Sequence, residues 1–401
     1  MKIKINKSIA KGKIKAPPSK SYAHRLLIAS CLSNGKSKIS GIIDSKDMIA
    51  TLSCLEALGT AYDKKDEDVS VFGGSFKEKF DDFNCYESGS TLRFFIPIAL
   101  ALGDSATFIG TERLMSRGLE VYDEICASQG IRVTKDKTSI KYEGRLKPDT
   151  FYVRGDISSQ FISGLLFALP LLSGESKIVI TTRLESQAYV DITIDALKTF
   201  GIEISRKDDE FYIKGNQKYA SQNMEVEGDA SNGAFLDAFN ILGGEVSVLG
   251  LKNDTLQADF IYKKYFNEIE KSYKTIDLSN CPDLAPICFA LASAKNGAHF
   301  VGTKRLKIKE SDRAEAMAEE LRKLGAQIEV FENEVIIKPS PLHAPSEALC
   351  GHNDHRIVMS LSVLLTTLGG EIDGAEAISK SYPDFFDDIL RLGISWEEVA
   401  V

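Results

Sequence analysis

The feature that most constrains this chain is that it repeats itself. A helix-like stretch closed by glycine and followed by two short strand-like runs recurs at Leu58-Gly59, Gln129-Gly130, Phe200-Gly201, Leu324-Gly325 and Leu392-Gly393. The first three glycines are 71 residues apart each time and the last two are 68 apart. The 124 residues from Gly201 to Gly325 leave room for one more unit that lacks the glycine. A helix C-terminus favours glycine because it enters the left-handed conformation without steric cost. A second landmark, a strand ending at Gly41, Gly110, Thr181, Gly250, Gly302 and Gly374, steps by 69, 71, 69, 52 and 72. The start of an apolar helix, near Ser21, Ser90, Ser159, Ser231, Asp283 and His355, steps by 69, 69, 72, 52 and 72. The landmarks agree on one period and put the same short step in the fourth unit.

Each unit reads as an apolar helix, a strand, a second helix, glycine and two strands, which implies an α/β fold of six βαβαββ units. The first helices, such as Leu92 to Leu100 and Ile162 to Leu169, are apolar nearly all round and so belong in a core. The second helices, such as Glu315 to Leu324, are amphipathic. A length of 401 residues suits two domains of three units each. The natural break lies near Val226-Glu227-Gly228-Asp229. The sequence predicts a first domain over 13–225 and a second over 1–12 plus 226–401, because the N-terminal strand precedes the first unit.

Composition narrows the function. The formal net charge of −8 repels nucleic acid and anionic membrane, so clusters of Arg and Lys here are local. The seven cysteines form no Cys-x-x-Cys pair and no zinc spacing, as expected of reduced thiols in the cytoplasm. Met1 to Asn6 alternates like a strand and lacks the apolar core of a signal peptide. The apolar run Phe161 to Leu172 is too short to span a bilayer.

Those clusters sit at the starts of the buried helices. Pro18-Ser19-Lys20-Ser21 with Arg25, Glu87-Ser88-Gly89-Ser90 with Arg93, Gly155-Asp156-Ile157-Ser158-Ser159-Gln160, Gly228-Asp229-Ala230-Ser231, Asn280-Cys281-Pro282-Asp283 and Asn353-Asp354-His355-Arg356 all occupy this position. Helix N-termini expose unpaired N–H groups and bind phosphate or carboxylate. Ordinary capping accounts for Ser231. It does not account for Lys20, Arg25, Arg93 and Arg356, because a cation in the first turn opposes the helix dipole unless an anion or acid partners it. Arg93 has two readings, an anion contact or a structural bridge to Glu87. The second helices carry Arg117, Ser186 and Tyr189, then Lys309-Glu310-Ser311-Asp312-Arg313 and Ser379-Lys380-Ser381-Tyr382-Pro383-Asp384.

From about residue 2 to the C-terminus these segments, in this order, resemble the 5-enolpyruvylshikimate-3-phosphate synthases of the enolpyruvyl transferase family. The resemblance implies two domains of three βαβαββ units, an inside-out α/β barrel arrangement. It implies transfer of enolpyruvyl from phosphoenolpyruvate to the 5-hydroxyl of shikimate 3-phosphate, in aromatic amino-acid (chorismate) biosynthesis, by a monomer with no metal and no organic cofactor. It assigns shikimate 3-phosphate to Lys20, Ser21, Arg25, Ser158, Ser159, Gln160, Ser186, Tyr189, Asp283 and Lys309. It assigns phosphoenolpyruvate to Lys20, Gly89, Arg117, Gln160, Arg313, Arg356 and Lys380.

For the chemistry, Asp283 is the expected base at the hydroxyl and Glu310 the proton shuttle at the methylene carbon, with Lys20 sharing proton transfer. His355 has two readings: it supports Glu310 or the intermediate, or it is a capping or supporting histidine. Shikimate 3-phosphate is expected to draw the two domains together, since the assigned residues divide between them. The chain departs from the commoner pattern at Glu87, where many members have Asn, at Ser90, where many have Thr, at Gly118, where Pro is frequent, and at Arg305, where some have Asn. Gly89 is kept, and in this family it lines the phosphoenolpyruvate pocket, where a bulkier residue accompanies glyphosate tolerance. Two other readings fit a six-unit chain. One is the sister transferase acting on UDP-N-acetylglucosamine, whose Lys-Asn pair and Cys-bearing loop are not matched here. The other is a non-catalytic repeat scaffold, which needs no cations at buried helix starts.

Overall fold

The computed structural model describes residues 1–399 as two compact units, Pro18–Glu227 and Met1–Pro17 with Gly228 onward. They are called here the continuous and the discontinuous domain. The change-over falls at Pro17-Pro18, five residues beyond the 12/13 division that the sequence suggests. The reason is that strand Lys11–Lys15 pairs in parallel with Glu245–Leu249 and so belongs to the discontinuous domain.

The continuous domain contains helices α1 (Lys20–Leu32), α2 (Lys46–Leu58), α3 (Gly89–Leu102), α4 (Glu112–Met115), α5 (Glu120–Gln129), α6 (Ser159–Ala168) and α7 (Gln187–Thr199). Its three sheets share one order. Phe83–Tyr86 lies parallel to Ser105–Gly110, which pairs antiparallel with Ser139–Glu143 and then with Arg132–Lys135. Thr150–Val153, Ser176–Ile180, Glu210–Ile213 and Ile204–Lys207 repeat that order. The apolar helices α1, α3 and α6 fill a single core with the inward faces of these sheets. Gly164 of α6 is explained by close approach, since a Cβ there would stand 2.4 Å from the Arg93 carbonyl oxygen.

The discontinuous domain has its own core and helices α8 (Ala230–Ile241), α9 (Tyr262–Lys271), α10 (Ala285–Ala294), α11 (Arg313–Lys323), α12 (His355–Leu368) and α13 (Phe385–Arg391). Thr275–Asp277, Ala298–Val301, Glu334–Lys338 and Gln327–Val330 form the regular four-stranded sheet. The sixth unit is completed from the other end of the chain. Lys2–Ile5 pairs antiparallel with Gly370–Asp373 on one side and Trp396–Val399 on the other. Ile3 and Ile5 are buried by this insertion, while Lys2 and Lys4 point out to Glu371 and Glu397.

The strict six-fold reading is corrected at two places. The fourth unit has no strand pair after α9, which ends at Ser272 without a left-handed glycine, and this accounts for the 52-residue step. The strands that lead into α1 and α8 are exchanged. Lys11–Lys15 joins the fourth unit, whereas Tyr219–Ala220 and Asn223–Glu225 pair with Ser33–Ser40 of the first. At the other landmarks the structure agrees: the second strands end at Ser40, Gly110, Ile180, Leu249, Val301 and Asp373. Among the described residues no helix is long and apolar enough to cross a membrane.

Candidate active site

In the continuous domain the candidate residues gather at helix N-termini. Ser19 caps α1 by accepting from the Tyr22 N–H. The Lys20 ammonium meets Asp47, in the first turn of α2, at 2.8 Å, with the two side chains 16% and 12% exposed. Arg25 is buried. Its Nε donates to Thr193 Oγ1 at 2.7 Å, Nη1 to the Ser21 carbonyl at 2.7 Å and Nη2 to the Tyr189 carbonyl at 2.9 Å, so it ties α1 to α7. Burial pushes this guanidinium down to about 10, which still leaves it charged at neutral pH.

A second group surrounds the start of α3, capped by Ser88. The Arg117 guanidinium lies against Gly89, where an added Cβ would stand 2.8 Å from Nη1 and 3.0 Å from Cζ. Arg93 sets this arrangement: Nη1 donates to Gln160 Oε1 at 2.8 Å and Nη2 to the Arg117 carbonyl at 2.9 Å. Ser158 caps α6 by accepting from the Gln160 N–H, and Ser159 is its first residue. Ser186, at the start of α7, is buried in the left-handed region at φ 55°, a conformation that non-glycine residues adopt chiefly at functional or constrained sites.

The discontinuous domain holds a denser cluster. Asp283 lies in the 3-10 turn Pro282–Leu284 that leads into α10. Its Oδ1 accepts from Arg313 Nη1 at 2.7 Å and faces the Lys309 ammonium at 3.3 Å, while Oδ2 accepts from Arg356 Nη2 at 2.9 Å. Arg313, 1% exposed, also donates from Nη2 to Glu310 Oε2 at 2.6 Å and from Nε to Asp354 Oδ2 at 2.8 Å. Asp354 is wholly buried, caps α12 by accepting from the Arg356 N–H, and takes the Ser311 hydroxyl at 3.0 Å. Lys380 donates to the Asn353 carbonyl at 2.7 Å. Burial opposes charge on Arg313, Arg356 and Asp354, and attraction to the opposite charges around them decides the balance. Arg313 and Arg356 end above the ordinary arginine value and Asp354 below the ordinary carboxylate range. Lys309 goes the other way, because burial outweighs the pull of Asp283.

Several residues acquire roles that the sequence did not assign. Ser231 is not the cap of α8. Asp229 is, accepting from the Asn232 N–H, and the Ser231 hydroxyl accepts from Arg356 Nη1 at 2.5 Å. His355 is not a cap either, since Asp354 fills that place; its Nδ1 lies 4.0 Å from Asp354 Oδ1. Asp47, Arg93 and Asp354 are the acids and cation that hold the assigned side chains. Arg93 carried a signal as a cation at the start of a buried helix, and Asp354 by standing in the Asn353-Asp354-His355-Arg356 segment; Asp47 carried none. Arg305, set aside on sequence, donates to the Ser279 carbonyl at 2.6 Å. Glu319, Glu320 and His352 are the one group among the described residues whose ligand atoms could share a metal ion, and Lys323 already sits 3.1 Å from Glu320.

Two α/β domains with cations at buried helix starts, set beside carboxylates, define an anion-handling enzyme. An EPSP synthase structure from Acinetobacter baumannii has the same fold, with a TM-score of 0.79, 21% identity and coverage of 99% of each chain. The sequence matches the family described as EPSP synthase (3-phosphoshikimate 1-carboxyvinyltransferase) over residues 5–389, and the chain belongs to that family. Among its relatives, a 3-phosphoshikimate 1-carboxyvinyltransferase of Clostridium kluyveri is 42% identical, covering 100% of this chain and 99% of that protein. One of the same name from Clostridium novyi is 43% identical, covering 98% and 97%.

Proposed function

We propose that this chain transfers the enolpyruvyl group of phosphoenolpyruvate to the 5-hydroxyl of shikimate 3-phosphate and releases phosphate. Within this family, the observation that carries the reading is the pairing of Asp283 and Glu310 with the buried cations Arg313 and Arg356 and the half-buried Lys309. Both substrates carry phosphate and carboxylate, the anions that guanidinium forks and helix N-termini recognise.

In the mechanism, the 5-hydroxyl oxygen bonds to C2 of phosphoenolpyruvate as its proton passes to Asp283. Glu310 protonates the methylene carbon, giving a tetrahedral intermediate. The C2–O bond to phosphate then breaks, and the Glu310 carboxylate takes a proton back from the new methyl group to restore the double bond. Lys20 shares in proton transfer to the leaving phosphate. Arg117, Arg313, Arg356 and Lys380 stabilise the phosphate and carboxylate charge, and their order before substrate arrives is what makes them effective. The family resemblance assigns shikimate 3-phosphate to Lys20, Ser21, Arg25, Ser158, Ser159, Gln160, Ser186, Tyr189, Asp283 and Lys309. The enzyme works in the cytoplasm as a monomer.

The test is phosphate release from phosphoenolpyruvate with shikimate 3-phosphate and UDP-N-acetylglucosamine as separate acceptors. Release with shikimate 3-phosphate alone is expected. Release only with the nucleotide sugar would overturn the acceptor, and release with neither would overturn the activity.

A further inference from the structure

Glu320 takes no part in the chemistry above, yet it is a completely buried carboxylate in the third turn of α11. Its Oε2 accepts from the Cys350 N–H at 2.9 Å and its Oε1 meets His352 Nε2 at 2.8 Å, with Lys323 at 3.1 Å. These two bonds grip a turn that needs holding. His352 and Asn353 are consecutive left-handed residues, at φ 47° and 50°, and neither is glycine. The same turn delivers the Asn353 carbonyl to Lys380 and the Asp354 carboxylate to Arg313 and to the Arg356 N–H. Arg313 and Glu320 are seven residues apart on α11, two turns along one face. One helix face therefore holds the 350–354 turn at both ends, through Asp354 at one and through Cys350 and His352 at the other.

We infer that Glu320 is a positioning residue for phosphoenolpyruvate: it fixes the 350–354 turn on which the placement of Lys380, Arg313 and Arg356 depends. The inference rests on the assignment of those three cations to phosphoenolpyruvate. Loss of the Glu320 anchor lets the turn relax from its left-handed conformation, and Lys380 and Asp354 move with it.

Steady-state kinetics on Glu320→Ala, Glu320→Gln, His352→Ala and Lys380→Ala test this, with thermal unfolding followed in parallel. Glu320→Ala is expected to raise KM for phosphoenolpyruvate about ten-fold while KM for shikimate 3-phosphate stays within about two-fold, as for a displaced binding group. Glu320→Gln, which keeps an acceptor oxygen and the shape, is expected to restore most of the loss. His352→Ala removes only the half-buried partner and is expected to raise the same KM about three-fold; it carries the test if Glu320→Ala does not fold. A lowered melting temperature with both KM values unchanged in the Glu320 and His352 variants would make Glu320 merely structural and overturn the inference. Lys380→Ala separates the two layers. If it raises KM for phosphoenolpyruvate while Glu320→Ala and His352→Ala do not, only the positioning role fails; if it leaves that KM unchanged, the site assignment fails and this inference with it.

Discussion

Cations in the first turn of a helix need a partner, and at residue scale the structure supplies one for each. Lys20 finds Asp47, and Arg356 finds Asp283 and Ser231. The oddity of those cations was legible in the sequence because dipole and charge are local; the partners were not, because they lie on other helices. Asp283→Asn is expected to lower kcat about a thousandfold, the scale of a lost acid–base group. It should also lower the melting temperature, since Arg313 and Arg356 lose a buried counter-charge. Phosphate-release kinetics and calorimetry read the two effects separately. Gly89→Ala places a methyl against the Arg117 guanidinium, so KM for phosphoenolpyruvate should rise about ten-fold with that for shikimate 3-phosphate unchanged. By the family resemblance, glyphosate inhibition should weaken in the same variant, and an inhibition series would show it. The hydrogen bond to Glu320 raises His352 above its ordinary value of 6.5; burial raises Glu320, but His352 and Lys323 pull it below its ordinary 4.5. The histidine's contribution to stability is therefore full below about 6.5 and fades as pH rises through its elevated value; the glutamate's is present above about 4.5 and fades on acidification. Melting temperatures across pH should show the gap between the wild-type protein and His352→Gln closing as pH rises above 7.

At the scale of the element, glycine position set the period, and the structure gives its reason. α2 and α5 end on Gly59 and Gly130 at φ 106° and 70°, both left-handed. The two sites differ in their surroundings. A Cβ at Gly130 meets nothing within 4 Å, whereas at Gly59 it would stand 2.8 Å from the Lys77 backbone nitrogen. Gly130→Ala should therefore cost about 1 kcal/mol, the conformational penalty alone, and Gly59→Ala distinctly more. Denaturant unfolding of the two variants compares them, and equal losses would refute the steric part of the argument. The apolar helix starts were equally legible, since a run apolar on every side is buried in any α/β arrangement. The missing strand pair of the fourth unit was visible only as a shortened step.

For the whole molecule, the chain begins in one domain, passes to the other at Pro17-Pro18 and returns at Glu227-Gly228. Residues 18–227 keep all three of their sheets and their core without outside help. Residues 228–401 alone lose Lys2–Ile5 from the middle of a sheet and the one strand partner of Glu245–Leu249. A fragment of 18–227 is thus expected to melt cooperatively, while 228–401 should fold only when residues 1–17 are supplied, as circular dichroism would show. Neither fragment should release phosphate from phosphoenolpyruvate, because the proposed contacts divide between them.

The sequence by itself determined the period, the helix starts and ends, the apolar faces and the family. All of these follow from residues close together in the chain, through capping, left-handed glycine and helical periodicity. Only the tertiary structure decided that the strands before α1 and α8 change places, that Lys2–Ile5 closes the sixth unit, and that Asp283 faces Arg313, Lys309 and Arg356. Strand pairing and ion pairing across separations such as the 73 residues between Asp283 and Arg356 depend on register and on which helices meet, and no local pattern of residues encodes either.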